Sequence, residues 1–258
     1  MLRRITLIIF LSVIALSANA QDNTATTPPP QDIGGQDDVM LLYRNEINFG
    51  AVIHSNGFGF NFRKGKHVTG YLKRVLEIEA VSLKHPKETR TQNPLFENSK
   101  GYFYGKQYSV IVLRTGYGFQ RILYGKQDRR GVEIRMVTFL GASIALAKPV
   151  YLDILHEIDP QRYIISTEKY DPAIHFSDNI YGRAPYFKGF DEMKFFPGGY
   201  AKLGFTFEYA DLDDDVKAIE TGVAVDIYPK VIPIMATAKN NQVYINLYIN
   251  FLWGRKWF

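Results

Sequence analysis

The stretch VYINLYINFLWGRKWF, Val243 to Phe258, decides how the rest of the chain reads. Val243, Ile245, Leu247, Ile249, Phe251 and Trp253 alternate with Tyr244, Asn246, Tyr248 and Asn250, so an extended backbone presents one apolar face and one polar face. A soluble sandwich would leave one of those faces mismatched. A wall between lipid and a polar interior suits both.

Seven further segments upstream share the two-residue period. Arg44 to His54 sets Ile47, Phe49, Ala51 and Ile53 against Arg44, Glu46, Asn48 and Gly50, and Asn56-Gly57 then predicts a tight type I′ hairpin turn with positive φ. Gly57 to Arg63 turns Phe58, Phe60 and Phe62 outward and Arg63 inward. Gly70 to Leu83 opposes Leu72, Leu76, Ile78 and Ala80 to Lys73, Glu77 and Glu79, while Gln107 to Gly118 directs Ile111 and Leu113 out and Arg114 in. Val132 to Ala147 opposes Ile134, Met136, Leu140, Ile144 and Leu146 to Glu133, Arg135 and Ser143. Gly199 to Tyr209 places Leu203, Phe205 and Phe207 opposite Lys202, Thr206 and Glu208, and Val216 to Tyr228 places Ile219, Val223, Val225 and Ile227 opposite Glu220 and Asp226. With the terminal run this makes eight antiparallel strands, an even number that closes an all-β transmembrane barrel with both ends on one side.

The N-terminus carries Arg3 and Arg4, an apolar run within Ile5 to Leu16 and then Ala18-Asn19-Ala20, the make-up of a secretory signal cleaved after residue 20. Residues 21–43, with Pro28 to Pro30 and Gly34-Gly35, read as a periplasmic linker, and 44–258 as the barrel. The formal charge of +5 falls to +3 without Arg3 and Arg4, and the cations are too dispersed for a nucleic-acid partner. The absence of Cys excludes thiol catalysis, disulfides and thiolate metal sites.

If the linker starts in the periplasm, the connections Lys64 to Thr69, Phe119 to Arg130 and Ala210 to Asp215 are periplasmic. The long connections Lys84 to Lys106 and Lys148 to Gly198 then face the exterior. The basic clusters Arg63 to Lys66, Lys126 to Arg130 and Arg255-Lys256 fall near the inner rim, placed to snorkel to lipid phosphate. The alternating strands and the aromatic end formed by Phe251, Trp253 and Phe258 resemble the small eight-stranded outer-membrane barrels of Gram-negative bacteria, the OmpA-like class. The Tyr- and Asn-rich flavour and the length also resemble barrels of Bacteroidota. The resemblance implies an outer-membrane location among lipid and lipopolysaccharide, and a C-terminal aromatic signal recognised by the assembly machinery.

An eight-stranded barrel is wide enough only for side chains to fill, so Glu77, Glu79, Arg114, Glu133, Arg135, Lys202, Glu208 and Asp226, with Arg44, Glu46, Arg63, Lys73 and Glu220, are expected to form a lumenal ion-pair network. His54-Ser55-Asn56, with His85, superficially resembles the motif of lipid A deacylases but lacks its His-to-Ser spacing, so no catalytic set is assigned. His156 and His175, among Asp153, Glu157, Asp171 and Asp178, lack the compact spacing of a metal site. Asp211, Asp213, Asp214 and Asp215 begin like a calcium loop, but Val216 and Gly222 stand where Gly and Glu are required. No cofactor or metal is expected. The 148–198 insertion is dense in aromatics, namely Tyr151, Tyr163, Tyr170, Phe176, Tyr181, Tyr186, Phe187, Phe190, Phe195 and Phe196, a composition typical of interface cores. The expected function is therefore a non-enzymatic barrel presenting an interaction surface to an outer-membrane or surface protein, as an accessory subunit of a larger assembly. A lipid-modifying enzyme and a narrow channel are the alternatives.

Overall fold

The computed structural model describes residues 44–258 apart from 95, 97–98, 127–130, 160–161 and 211–213. The expected signal segment, the linker, residues 127–130 of one basic cluster and the first three positions of the Asp211 to Asp215 turn lie outside the described residues. In chain order the strands are β1 (Asn45–His54), β2 (Gly57–Thr69), β3 (Leu72–Leu83), β4 (Arg90–Thr91), β5 (Tyr102–Phe103), β6 (Tyr108–Tyr124), β7 (Glu133–Pro149), β8 (Tyr151–Asp159), β9 (Arg162–Lys169), β10 (Ile180–Arg183), β11 (Lys194–Glu208), β12 (Asp215–Ile227) and β13 (Val243–Trp257). Eight of them close a barrel in the order β1-β13-β12-β11-β7-β6-β3-β2. Every neighbouring pair is antiparallel. Each barrel strand overlaps most of one of the eight periodic segments.

Alternation persists around the wall because side-chain direction follows residue parity along a pleated strand. On β13, Leu247 is 67% exposed while Asn246 is fully buried. The outward positions of β3 between Arg74 and Lys84 are Leu76, Ile78, Ala80 and Ser82. At ~3.3 Å per residue and ~45° tilt this span rises about 23 Å, the height of a lipid-facing band. Outward cations Lys64, Arg74, Arg121, Lys217 and Arg255 border the band at the end where the strands β1 and β13 meet the termini, interleaved with the exposed rings of Tyr71, Tyr117, Phe119, Tyr209 and Trp253.

Several boundaries differ from the sequence expectation. Arg44 precedes β1 and is exposed, so it takes no part in the lumen. β2 and β6 continue through Thr69 and Tyr124, consuming residues expected in turns, because polar alternation carries a ladder past the lipid as readily as through it. β7 runs on to Pro149 and β11 starts at Lys194, which shortens the long insertion at both ends. The Asn-Gly turn also differs. His54 pairs with Gly57, leaving Ser55-Asn56 as the two-residue loop. No non-glycine residue among those described has positive φ, and Gly57 is extended. Glycine is needed there because a Cβ would enter the Ser82 carbonyl.

The connection between β12 and β13 folds into the barrel mouth. Ile232, Ile234 and Met235 are buried in one apolar cluster with Val52, Val81, Leu83, Val112, Ala145 and Tyr244. Backbone bonds from Gln107 N to the Ile234 carbonyl (2.9 Å) and from Ala236 N to the Gly105 carbonyl (2.8 Å) hold this plug. The Asn240 amide accepts from Met235 N and donates to the Met235 carbonyl, at 3.0 and 2.8 Å. An apolar run in a connection, Val231 to Met235, is the signal that marks the plug in the sequence.

Candidate functional site

Below the plug the lumen holds two tiers of charge. In the tier nearer the plug, Arg63 contacts Glu77 at 2.5 Å and Glu220 at 2.6 Å. Lys202 lies 3.2 Å from Glu77 and 2.9 Å from Glu79, and Arg114 pairs with Glu79 and, at 2.5 Å, with Asp226. The hydroxyls of Tyr200, Thr206 and Tyr248 donate to Glu77 or Glu220. In the tier nearer the termini, Lys73 pairs with Glu46, and Arg135 with Glu133, Glu208 and Glu46, while Lys256 and Lys126 also reach Glu208. Three cations face four carboxylates in the first tier and four face three in the second, so the interior balances. Opposite charges this deep need such partners, because each stranded ion costs several kcal/mol.

The wall formed by β1, β2 and β13 is different in kind. It presents Asn48, Asn61, Asn246 and Asn250, and neither amide atom of Asn61 or Asn250 has a hydrogen-bond partner among the described residues. His54 faces this lumen. Its Nδ1 accepts from Asn56 N at 3.3 Å, whereas Ser55 Oγ lies 3.5 Å from Asn246 Oδ1. The structure thus does not join His54 to Ser55. His85 spends both ring nitrogens on loop backbone, Nδ1 on Lys87 N and Nε2 on the Lys239 carbonyl.

Above the barrel, the insertion builds its own three-stranded sheet in the order β10-β8-β9. Leu152, Ile154, Tyr170 and Ile180 bury one face of it against Tyr102 of the β4–β5 hairpin. The Asn93 amide donates to the Ile180 carbonyl at 2.8 Å and joins the two insertions. Glu168 on β9 receives His156 Nε2 at 2.6 Å, Ser166 Oγ at 2.5 Å and His175 Nε2 at 3.2 Å. The Ser166 hydroxyl first, with the two imidazoles, holds the Glu168 carboxyl down to about 2. His175 Nδ1 accepts from Asp171 N at 3.0 Å, so its Nε2 carries the proton given to Glu168. Both His175 nitrogens are thereby engaged. No group of three or more His, Asp or Glu among the described residues is arranged to hold a metal. A cavity of about 800 Å³ beside this cluster is lined by Tyr108, Tyr151, Tyr170, Glu168, Lys169, His175, Glu192 and Pro233, among others.

The ten aromatics expected to form one surface fall into separate environments. Tyr170 is only 6% exposed and belongs to the cap core. Phe195 and Phe196 belong to barrel strand β11, where Phe195 points outward beside Leu146 and Phe196 packs against the plug cluster. Those three are corrections to the expected loop surface, made by a strand that starts earlier than its alternation alone shows and by a loop that has a core. Tyr151 is tied to Glu192, and Tyr181 packs edge-on to Phe96. Tyr163 and Phe176 are exposed on the cap, whereas Tyr186, Phe187 and Phe190 cluster beside Lys148. The half-exposed residues Ile158, Ile164 and Ile165 join Tyr163 on the β8–β9 hairpin. Sequence reasoning missed these isoleucines by attending to rings alone. At the chain end, Phe251 and Trp253 stack on the outward face, centroids 6.4 Å apart, and Phe258 is exposed.

No family model matches the sequence, and no curated protein does. Among solved structures the chain is similar to neisserial surface protein A, at 10% identity and TM-score 0.41, covering 83% of this chain and 97% of that one. It is also similar to Ail, the attachment invasion locus protein of Yersinia pestis, at 10% identity and TM-score 0.39, covering 82% and 96%. The N-terminal β-barrel domain of Pseudomonas aeruginosa OprF matches at 8% identity and TM-score 0.34, covering 82% and 99%. The closed eight-stranded antiparallel barrel, apolar outside and charged within, is the architecture of a small outer-membrane β-barrel.

Proposed function

We propose that the protein is a non-conducting outer-membrane barrel whose loop-end cap faces the cell exterior and docks a protein partner, as an accessory subunit of a larger surface assembly. One observation carries this reading. Among the described residues β9 is an edge of the cap sheet, paired with β8 alone, and it displays Tyr163, Ile164 and Ile165 half-exposed with Ile158 across the hairpin. Sheet edges are ordinarily blunted by charge, proline or bulges, and an apolar edge is a template for strand addition. The plug and the paired charges beneath it support a role that does not depend on transport.

A photo-crosslinking amino acid at position 163 in living cells tests the reading. A discrete crosslinked protein is expected from position 163 and none from Lys217, which faces outward at the other end of the barrel. Recovery of an uncrosslinked monomer from both positions would count against it. The orientation is tested separately: an epitope in residues 21–43 should stay shielded in intact cells, and its surface labelling would invert the assignment.

A further inference from the structure

Tyr186, Phe187 and Phe190 form a ring cluster with centroids 5.8 to 6.1 Å apart, yet Phe187 is 80% exposed. Three exposed rings in mutual contact are an unusual feature for a surface bathed in water. The turn that carries them is built with care. Gly189 adopts φ +87°, and a side chain there would meet the Tyr151 ring at 2.8 Å. The Lys148 ammonium donates to the Tyr186 carbonyl (2.5 Å) and the Lys188 carbonyl (3.3 Å). It also lies 4.6 Å and 5.1 Å from the Tyr186 and Phe190 ring centroids.

Lys148 locates the cluster relative to the barrel. It occupies the outward register of β7, continuing Leu140, Ile144 and Leu146, and Leu146 pairs with the outward Phe195 of β11. One outward step beyond Leu146 is about 7 Å along the strand and roughly 5 Å in height. The rings therefore extend the apolar wall upward instead of covering the mouth. We infer that the turn formed by residues 185–190 is a lipid wedge, seated at the boundary between headgroups and acyl chains in the leaflet at the loop end. The occupant follows from continuity: the wedge adjoins a face already in lipid, and the exposed Lys188 stands beside it for lipid phosphate. This inference does not rest on the proposed partner docking at β9, and it removes these three rings from that surface.

The chain lacks cysteine, so single cysteines can be spin-labelled in the full-length protein reconstituted into phospholipid vesicles. Collision with oxygen, which favours lipid, is compared with collision with a water-soluble nickel chelate. The expected order of oxygen preference is Leu203→Cys above Phe187→Cys, and Phe187→Cys several-fold above Tyr163→Cys. Lys148→Met should raise label mobility at 187 while leaving position 203 unchanged. If position 187 matches position 163, the rings face water and the wedge is wrong. Spin–spin broadening at 187 would assign the rings to a second copy of the chain and overturn it equally.

Discussion

Arg63 and Glu220 meet across the lumen as a two-pronged pair, Nη1 to Oε2 at 2.6 Å and Nη2 to Oε1 at 2.7 Å, joining strands β2 and β12, which share no edge. Both side chains are buried, so removing Glu220 breaks the two-pronged pair and leaves the Arg63 guanidinium with Glu77 as its remaining carboxylate partner. Glu220→Leu should cost about 3–5 kcal/mol in urea unfolding from detergent or lipid. The double variant Arg63→Met, Glu220→Leu should cost less than the two single changes combined. Additive losses would show that the pair acts as two independent residues.

Leu247→Arg places a charge in the lipid-facing band and should cost about 2–4 kcal/mol. Its neighbour Asn246 points inward, and its Oδ1 accepts from Asn56 Nδ2 at 2.9 Å, tying down the Ser55-Asn56 turn. Asn246→Ser should therefore cost about 1 kcal/mol, one hydrogen bond. The heat-modifiable gel shift of folded barrels reports both. Equal tolerance of the two would mean the register of β13 is assigned to the wrong faces.

Gly118 and Gly199 offer a matched pair of alanine substitutions. A Cβ on Gly118 would enter the Thr138 carbonyl oxygen and reach the Phe139 ring, whereas a Cβ on Gly199 meets nothing within 4 Å. Gly118→Ala should destabilise by about 1–3 kcal/mol through overpacking. Gly199→Ala should stay within about 0.5 kcal/mol of the parent. Thermal melts in one detergent suffice to compare them.

In planar bilayers the parent protein should show no conductance, and trimming the plug residues Val231 to Met235 should not open it. The two charged tiers still fill the lumen beneath. Steady single-channel currents from the parent would favour the channel alternative.

The Glu168 carboxyl is held at about 2, below its ordinary 4.5, by Ser166, His156 and His175. A depressed carboxylate stabilises above the unfolded-state value and loses that contribution as pH falls through the folded-state value. The contacts of β9 with His156 and His175 should thus be intact above pH 4.5 and weaken between about 4.5 and 2. Faster amide exchange in β9 across that window, absent in Glu168→Gln, is the expected outcome. A pH response retained in Glu168→Gln would place its origin elsewhere.

The parity of residues along each strand settled which side chains face lipid and which face the interior, because a pleated backbone ties direction to position with no help from distant contacts. That is why Leu247 and Asn246, Arg114 and Glu79, and most of the lumenal charges could be sorted from the sequence, whereas Lys126 and Lys256, expected to anchor at lipid phosphate, instead turn onto Glu208. Which charge meets which is another matter. Arg63 finds Glu220 only when the sheet closes, since closure alone sets the distance between strands that are not neighbours. Strand ends were equally beyond local reading, because alternation continues past the membrane, as Lys194 to Phe196 show by joining β11. The plug at Ile232 to Met235 and the cap core around Tyr170 depend on apolar segments far apart in the chain meeting at the mouth. The separation of Tyr163 on a sheet edge from Phe187 in the ring cluster beside Lys148 was likewise decided by tertiary packing, since composition records how many rings a loop has but not where its backbone leads them.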